Sequence, residues 1–312
     1  MRLPLQSARL QAGGARLGID APYSYPDGGM TDRRNTSVAR ERPEGALNAI
    51  VATQPEIIRA EAVTKRFGGL TALDGIDYVL RENEIAGILG SNGAGKTVFF
   101  NLLTGFYQPD SGAIYFQGRD VTRWSPQQRV AAGMMRTFQL TSTFDNLTVI
   151  DNLVLAFYRA YKKHSLLHLF FNTCKAQHRE PRVVQALHDF DLEDVRDREV
   201  RHLSLGEKRL LEIAMTLLVE PKLLMFDEPL AGLSESEIQR ILKVLRRSLG
   251  RRTILIVEHK ISHVQDLVQR LTVMHEGKVL ADGGVEECLK HPDVRRSYWQ
   301  IEIPAAPSGA AS

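Results

Sequence analysis

The stretch "EIAGILGSNGAGKTVFFNLLTG", residues 84–105, decides the fold. It opens as a compact apolar run stopping at Gly90, the pattern of a strand buried on both faces of a parallel sheet. It closes as "KTVFFNLLTG", which reads as a helix with a glycine stop at Gly105. Between them, Gly90, Ser91, Asn92, Gly93, Ala94, Gly95, Lys96 and Thr97 fit the pattern G-x-x-x-x-G-K-[ST], with Val98 following in the helix. Strand before and helix after are the context that makes such a run a phosphate loop. Its glycines let successive backbone N–H groups converge on phosphate, at the positive end of a helix. Lys96 then reaches the outer phosphates as a point charge, and the Thr97 hydroxyl is a ligand for magnesium. The motif predicts a bound nucleoside triphosphate with Mg2+.

Working outward, "EIIRAEAVTKRFGG" and "LTALDGIDYVL" alternate and read as short strands, as does "GAIYFQG". "TVIDNLVLAFYRAY" reads as a helix opening at Thr148, and a mixed helical stretch follows to about Leu203. Then come strand "KLLMFDEP", helix "SESEIQRILKVLRRSL", strand "RTILIVEH" and helix "KISHVQDLVQR". "LTVMHEGKVLADG" reads as a closing hairpin turning at Glu276-Gly277. Strands alternating with helices predict an α/β fold with a mostly parallel sheet. Residues from about 140 to 205 interrupt it as an inserted helical subdomain. Residues 1–56 mix Gly, Pro, Ser and Arg without period and read as a disordered or weakly structured extension, with Met30 an alternative start. The folded domain spans 57–295, and 296–312 form a tail.

Two further strand ends carry chemistry. Asp227 closes "LLMFD", at the carboxyl edge where open α/β sheets place ligands. There it would hold magnesium, and Glu228 beside it would activate the attacking water as general base. The competing reading is that the pair caps the next helix. His259 follows "TILIVE", so it too should emerge at the phosphate edge, where it could sense the γ-phosphate. His259/His263 and His164/His168 share a metal-like i, i+4 spacing, but no nearby Cys or carboxylate completes a site. Gln139 in "RTFQL" is a candidate for contacting magnesium and water, though a lone glutamine in a loop is a weak signal.

The loop "LSLGEKRLLEIAM" starts another helix and offers a second anion-binding end. With the segments above, it resembles the ATP-binding cassette family, the ATPase subunits of ABC transporters, over residues of about 57 to 290. The family's L-S-G-G-Q signature reads here Leu203-Ser204-Leu205-Gly206-Glu207. The resemblance implies a P-loop ATPase core, an antiparallel β subdomain and the helical insert. It implies that two cassettes pair head to tail, as a homodimer or with a paralogue, Ser204, Gly206 and Glu207 of one facing the nucleotide of the other. It matches Phe67 to the adenine-stacking aromatic, Gln139 to the Q-loop, Asp227 and Glu228 to the Walker B pair, and His259 to the switch histidine. It places the helical insert against separate membrane permease subunits.

Three residues depart from the family pattern. Leu205 replaces a glycine, Glu207 a glutamine, and Ser234 stands where many cassettes have an aspartate. Glu207 is expected to repel a triphosphate modestly. "FGGLTALDGID", "RTFQLTSTFDNLTVIDNL" and "VEHK" look like the branch of importers serving branched-chain amino acids, with urea and short-chain amide importers sharing most of it. A non-transport cassette would show long heptads, zinc-spaced cysteines or a second cassette. Forty Lys+Arg against 37 Asp+Glu give a net charge of +3, too small to argue for nucleic acid. No apolar run approaches the roughly 18–20 residues that cross a bilayer. These readings place the chain on the cytoplasmic face of the cell membrane, with a substrate-binding protein as an indirect partner.

Overall fold

The computed structural model describes residues 54–137, 143–161, 178–248, 252–259, 262 and 264–299. Within them, strands β1 (Glu56–Phe67), β2 (Leu70–Arg81), β4 (Ser111–Phe116) and β5 (Arg119–Asp120) form an antiparallel sheet in the order β2-β1-β4-β5. Strands β3 (Ile85–Gly90), β6 (Met134–Arg136), β7 (Leu223–Asp227), β8 (Ile254–Glu258), β9 (Arg270–His275) and β10 (Lys278–Gly283) form a second sheet, ordered β10-β9-β3-β8-β7-β6. All its pairings are parallel except the β9–β10 hairpin. The α/β architecture read from the sequence is the one observed.

The parallel strands are apolar on both faces because both faces are covered. Along β7 and β8, Leu223, Met225, Leu255 and Val257 pack toward β1, β2 and helix α1 (Lys96–Thr104). Alternate residues Leu224, Phe226, Ile254 and Ile256 pack the other way. On that side lie α3 (Val149–Tyr161), α4 (Pro181–Asp189), α5 (Leu205–Leu218) and α6 (Glu235–Ser248). Burying one such side chain stabilises by about 1.5–3 kcal/mol. Truncating fully buried Phe226 to Ala would cost about 3–5 kcal/mol through transfer and cavity together. Helix α2 (Pro126–Ala132) leads into β6, and α7 (Val285–Lys290) and α8 (Pro292–Trp299) close the chain against β9. No described helix is long and apolar enough to cross a membrane.

Local chemistry sets the boundaries. Glycine at positive φ stops α1 at Gly105 and α2 at Gly133. The β9–β10 turn places Glu276 at φ 46° and Gly277 at φ 75°, as a two-residue hairpin requires. The edge strand β6 has only three residues, "MMR", too few to carry a readable period. One expectation needs correction. The helix read over 260–270 lies partly outside the described residues; among the described ones, Val264 to Leu267 form a turn and Arg270 already begins β9.

Candidate active site

Parallel strands β3, β7 and β8 run side by side, so their carboxyl ends share one edge of the sheet. Leu89 lies opposite Glu258, and Asp227 opposite Val257. At that edge the chain leaves β3 through residues 90–97 into α1. The loop needs its glycines. Gly93 and Gly95 have φ of 84° and 95°, and a Cβ on Gly90 would lie 2.6 Å from the Met274 carbonyl oxygen. The hairpin turn braces the loop from below, the Gly277 N–H donating to Ala94 O at 3.1 Å. Helix α1 begins with no side-chain cap and no acidic residue in its first turn. Its leading N–H groups are therefore left to an anion.

Lys96 is buried, and its Nζ donates to the carbonyls of Gly90 at 2.6 Å and Ser91 at 3.1 Å. Burial pushes the ammonium below its usual range, while the carboxylates of Glu228, Asp227 and Glu258 pull it back up. Those groups, separated by more than 130 residues in sequence from the lysine, thus share its surroundings. Thr97 stands exposed beside it. The buried donor, uncapped helix end, exposed hydroxyl and neighbouring carboxylates fit a triphosphate with a divalent cation.

Glu228 follows Asp227 at φ 47°, a left-handed conformation uncommon outside glycine. The Nδ1 of His259 lies 3.9 Å from Glu228 Oε1 and 3.7 Å from Glu258 Oε2. Phe67, at the end of β1, is 42% exposed and meets Tyr107 edge-to-face at 5.4 Å. Gln139 lies outside the described residues, as do His164, His168 and His263.

The second anion loop is assembled differently. Ser204 caps α5, its Oγ accepting from the Glu207 N–H at 3.2 Å, while Glu207 Oε2 accepts from the Ser204 N–H at 2.8 Å. The Gly206 N–H donates to Glu237 Oε1 at 3.1 Å. These are contacts within the loop and with α6, not with residues 90–97. Leu205 points outward, half exposed.

The family profile described as ABC transporter matches residues 73–231, about half the chain and including both loops. The chain belongs to the ABC transporter ATPase family. It is 33% identical over 247 residues to the high-affinity branched-chain amino acid transport ATP-binding protein BraF of Pseudomonas aeruginosa, covering 78% of this chain and 97% of that one. It is 34% identical over 252 residues to LivG of Escherichia coli K12, a protein named in the same way, covering 79% and 98%. Among solved structures, an ATP-binding cassette of an ABC transporter in its ADP conformation superposes with a TM-score of 0.66 at 30% identity, covering 80% of this chain and all of the other. Structure cbiO1 of Clostridium perfringens, part of an ABC transporter complex, gives 0.62 at 27% identity, covering 78% and 94%.

This ABC ATPase holds two further charged residues at its site that the sequence reading passed over. Arg136, at the end of β6, is buried, with Nη2 donating to Asp227 Oδ2 at 2.5 Å and Nη1 to Asn101 Oδ1 at 2.6 Å. Its guanidinium also stacks over Phe100, 4.6 Å from the ring centroid. The pair spans 91 residues, so no local pattern announces it. Glu258 is 1% exposed, and burial pushes its carboxyl up to about 7, with the Glu228 and Asp227 charges adding to the shift. An acid closing an apolar run was the available signal.

Proposed function

We infer that this chain is the ATP-hydrolysing subunit of an importer for branched-chain amino acids. It works on the cytoplasmic face of the membrane with separate permease subunits and a second cassette, identical or paralogous. The observation that carries the substrate class is the likeness to BraF and LivG across nearly their whole lengths. The site's geometry supports the residue roles. Residues 90–97 would hold the phosphates, with Lys96 as counter-charge and Phe67 against the adenine. Thr97, Asp227 and, by family resemblance, Gln139 would hold Mg2+. When bound, ATP with Mg2+ supplies the phosphoanhydride to be cleaved and the charge that polarises it. Glu228 takes a proton from the attacking water, and His259, within 4 Å of that carboxylate, orients it. Ser204, Gly206 and Glu207 of the partner cassette would close over the nucleotide.

The test is uptake of labelled leucine and labelled urea in cells carrying Glu228→Gln at this locus. Loss of leucine uptake with urea uptake intact is expected. Loss of urea uptake alone would move the chain to the urea and amide importers, and no change in either would overturn the importer reading.

A further inference from the structure

Glu258 takes no role in the reading above, yet it sits at the middle of the site. Its strand lies between the one that enters the phosphate loop and the one that ends at Asp227. A carboxylate this deeply buried costs free energy unless its oxygens are bonded. Oε1 accepts from the Leu230 N–H and Oε2 from the His259 N–H, each at 3.3 Å. The charged and titratable groups facing it are Lys96 from α1, Asp227 and Glu228 from the end of β7, and His259.

The Leu230 bond belongs to a strained turn. The left-handed conformation of Glu228 costs on the order of 1–3 kcal/mol and persists only where surrounding bonds over-determine it. Here the Glu228 N–H donates to Val257 O at 2.9 Å, the Ala231 N–H donates to Glu228 O at 3.2 Å, and Glu258 takes the N–H between them in the chain, that of Leu230. One side chain therefore grips both the turn that presents Glu228 and the backbone that presents His259.

We propose that Glu258 is a positioning residue for hydrolysis: its carboxylate ties the turn at residues 228–230 to the end of β8 and fixes Glu228 against His259. The proposal rests on the roles given above to Glu228 and His259. A purely structural Glu258 would instead only fill the end of a strand, and its loss would act through stability.

The experiment compares the full chain with Glu258→Gln, Glu258→Ala and Glu228→Gln, using a fluorescent ATP analogue, steady-state turnover and thermal unfolding. Glu258→Gln keeps one acceptor oxygen and should lower kcat roughly 10-fold, and Glu258→Ala up to about 100-fold, as expected for a misplaced reacting group. KM, analogue affinity and the Tm of Glu258→Gln should stay at wild-type values or, for Tm, rise. Unchanged kcat in Glu258→Gln and Glu258→Ala, with Glu228→Gln inactive, would overturn the proposal. So would a kcat loss in Glu258→Gln matched by a lowered Tm. Normal turnover in Glu228→Gln would remove the reading beneath the proposal, and the proposal with it.

Discussion

The two anion loops of this ATPase are built on opposite principles. Residues 90–97 leave a strand buried on both faces, and their lysine, backbone strain and neighbouring carboxylates are held by the sheet beneath. The loop at Ser204 to Glu207 is a helix cap on the surface, its donors taken by the chain's own Ser204, Glu207 and Glu237. The first is the candidate reaction centre; the second is a helix cap whose N–H groups at 204, 206 and 207 are engaged within the chain. The contrast fits the pairing proposed above: residues 90–97 rest on rigid, buried support, whereas the loop at Ser204 to Glu207 is a surface cap that would meet the nucleotide of a partner cassette.

Substitutions break this contrast to different degrees. The largest effect is expected for Glu228→Gln, which keeps the shape of the site but removes the proposed base: turnover should fall about 100-fold or more with analogue binding intact, as read by phosphate release. Arg136→Met comes next. It leaves the Asp227 carboxylate without its buried partner and should destabilise the nucleotide-free chain by about 3 kcal/mol in urea unfolding. Lys96→Ala removes a charged donor and should weaken analogue binding roughly 10- to 100-fold, measured by fluorescence titration.

A pH series sharpens the comparison on the buried side. The Glu258 carboxyl is raised in the folded chain to about 7, so between about pH 4.5 and 7 the folded state binds more protons than the unfolded one. Stability should therefore fall as pH rises through that window and level off above it, by up to about 3 kcal/mol for this group. Glu258→Gln should lack that slope, and the difference between the two unfolding curves isolates it. The smallest effect belongs to the surface loop. Ser204→Ala removes the α5 cap and should cost about 1 kcal/mol, leaving the fold of the phosphate loop untouched.

The same divide explains what the sequence disclosed. Strand β3, the loop after it, β7 with Asp227 and the start of α5 were legible because each is a local pattern: an apolar run, fixed glycines, a cap. The positions of Lys96 and Glu228 follow from those patterns. Arg136, Glu258 and Glu237 act over 91, 28 and 31 residues of chain, through partners that only the sheet order brings near. An arginine in "MMRT" reads as a surface residue until β6 pairs beside β7. Glu207 has a local role that the sequence reading did not give it. Its carboxylate closes the capping box of α5, with Arg198 3.8 Å away. Ser234, short of the family's aspartate, caps α6 through Glu237.

The most direct test of the account is a paired measurement on Lys96→Ala and Glu228→Gln, analogue affinity against phosphate release. The two should separate: Lys96→Ala loses affinity, while Glu228→Gln binds like the wild type and scarcely hydrolyses. Wild-type phosphate release from Glu228→Gln would contradict the assignment of the site's base and, with it, the chemistry placed at this edge of the sheet.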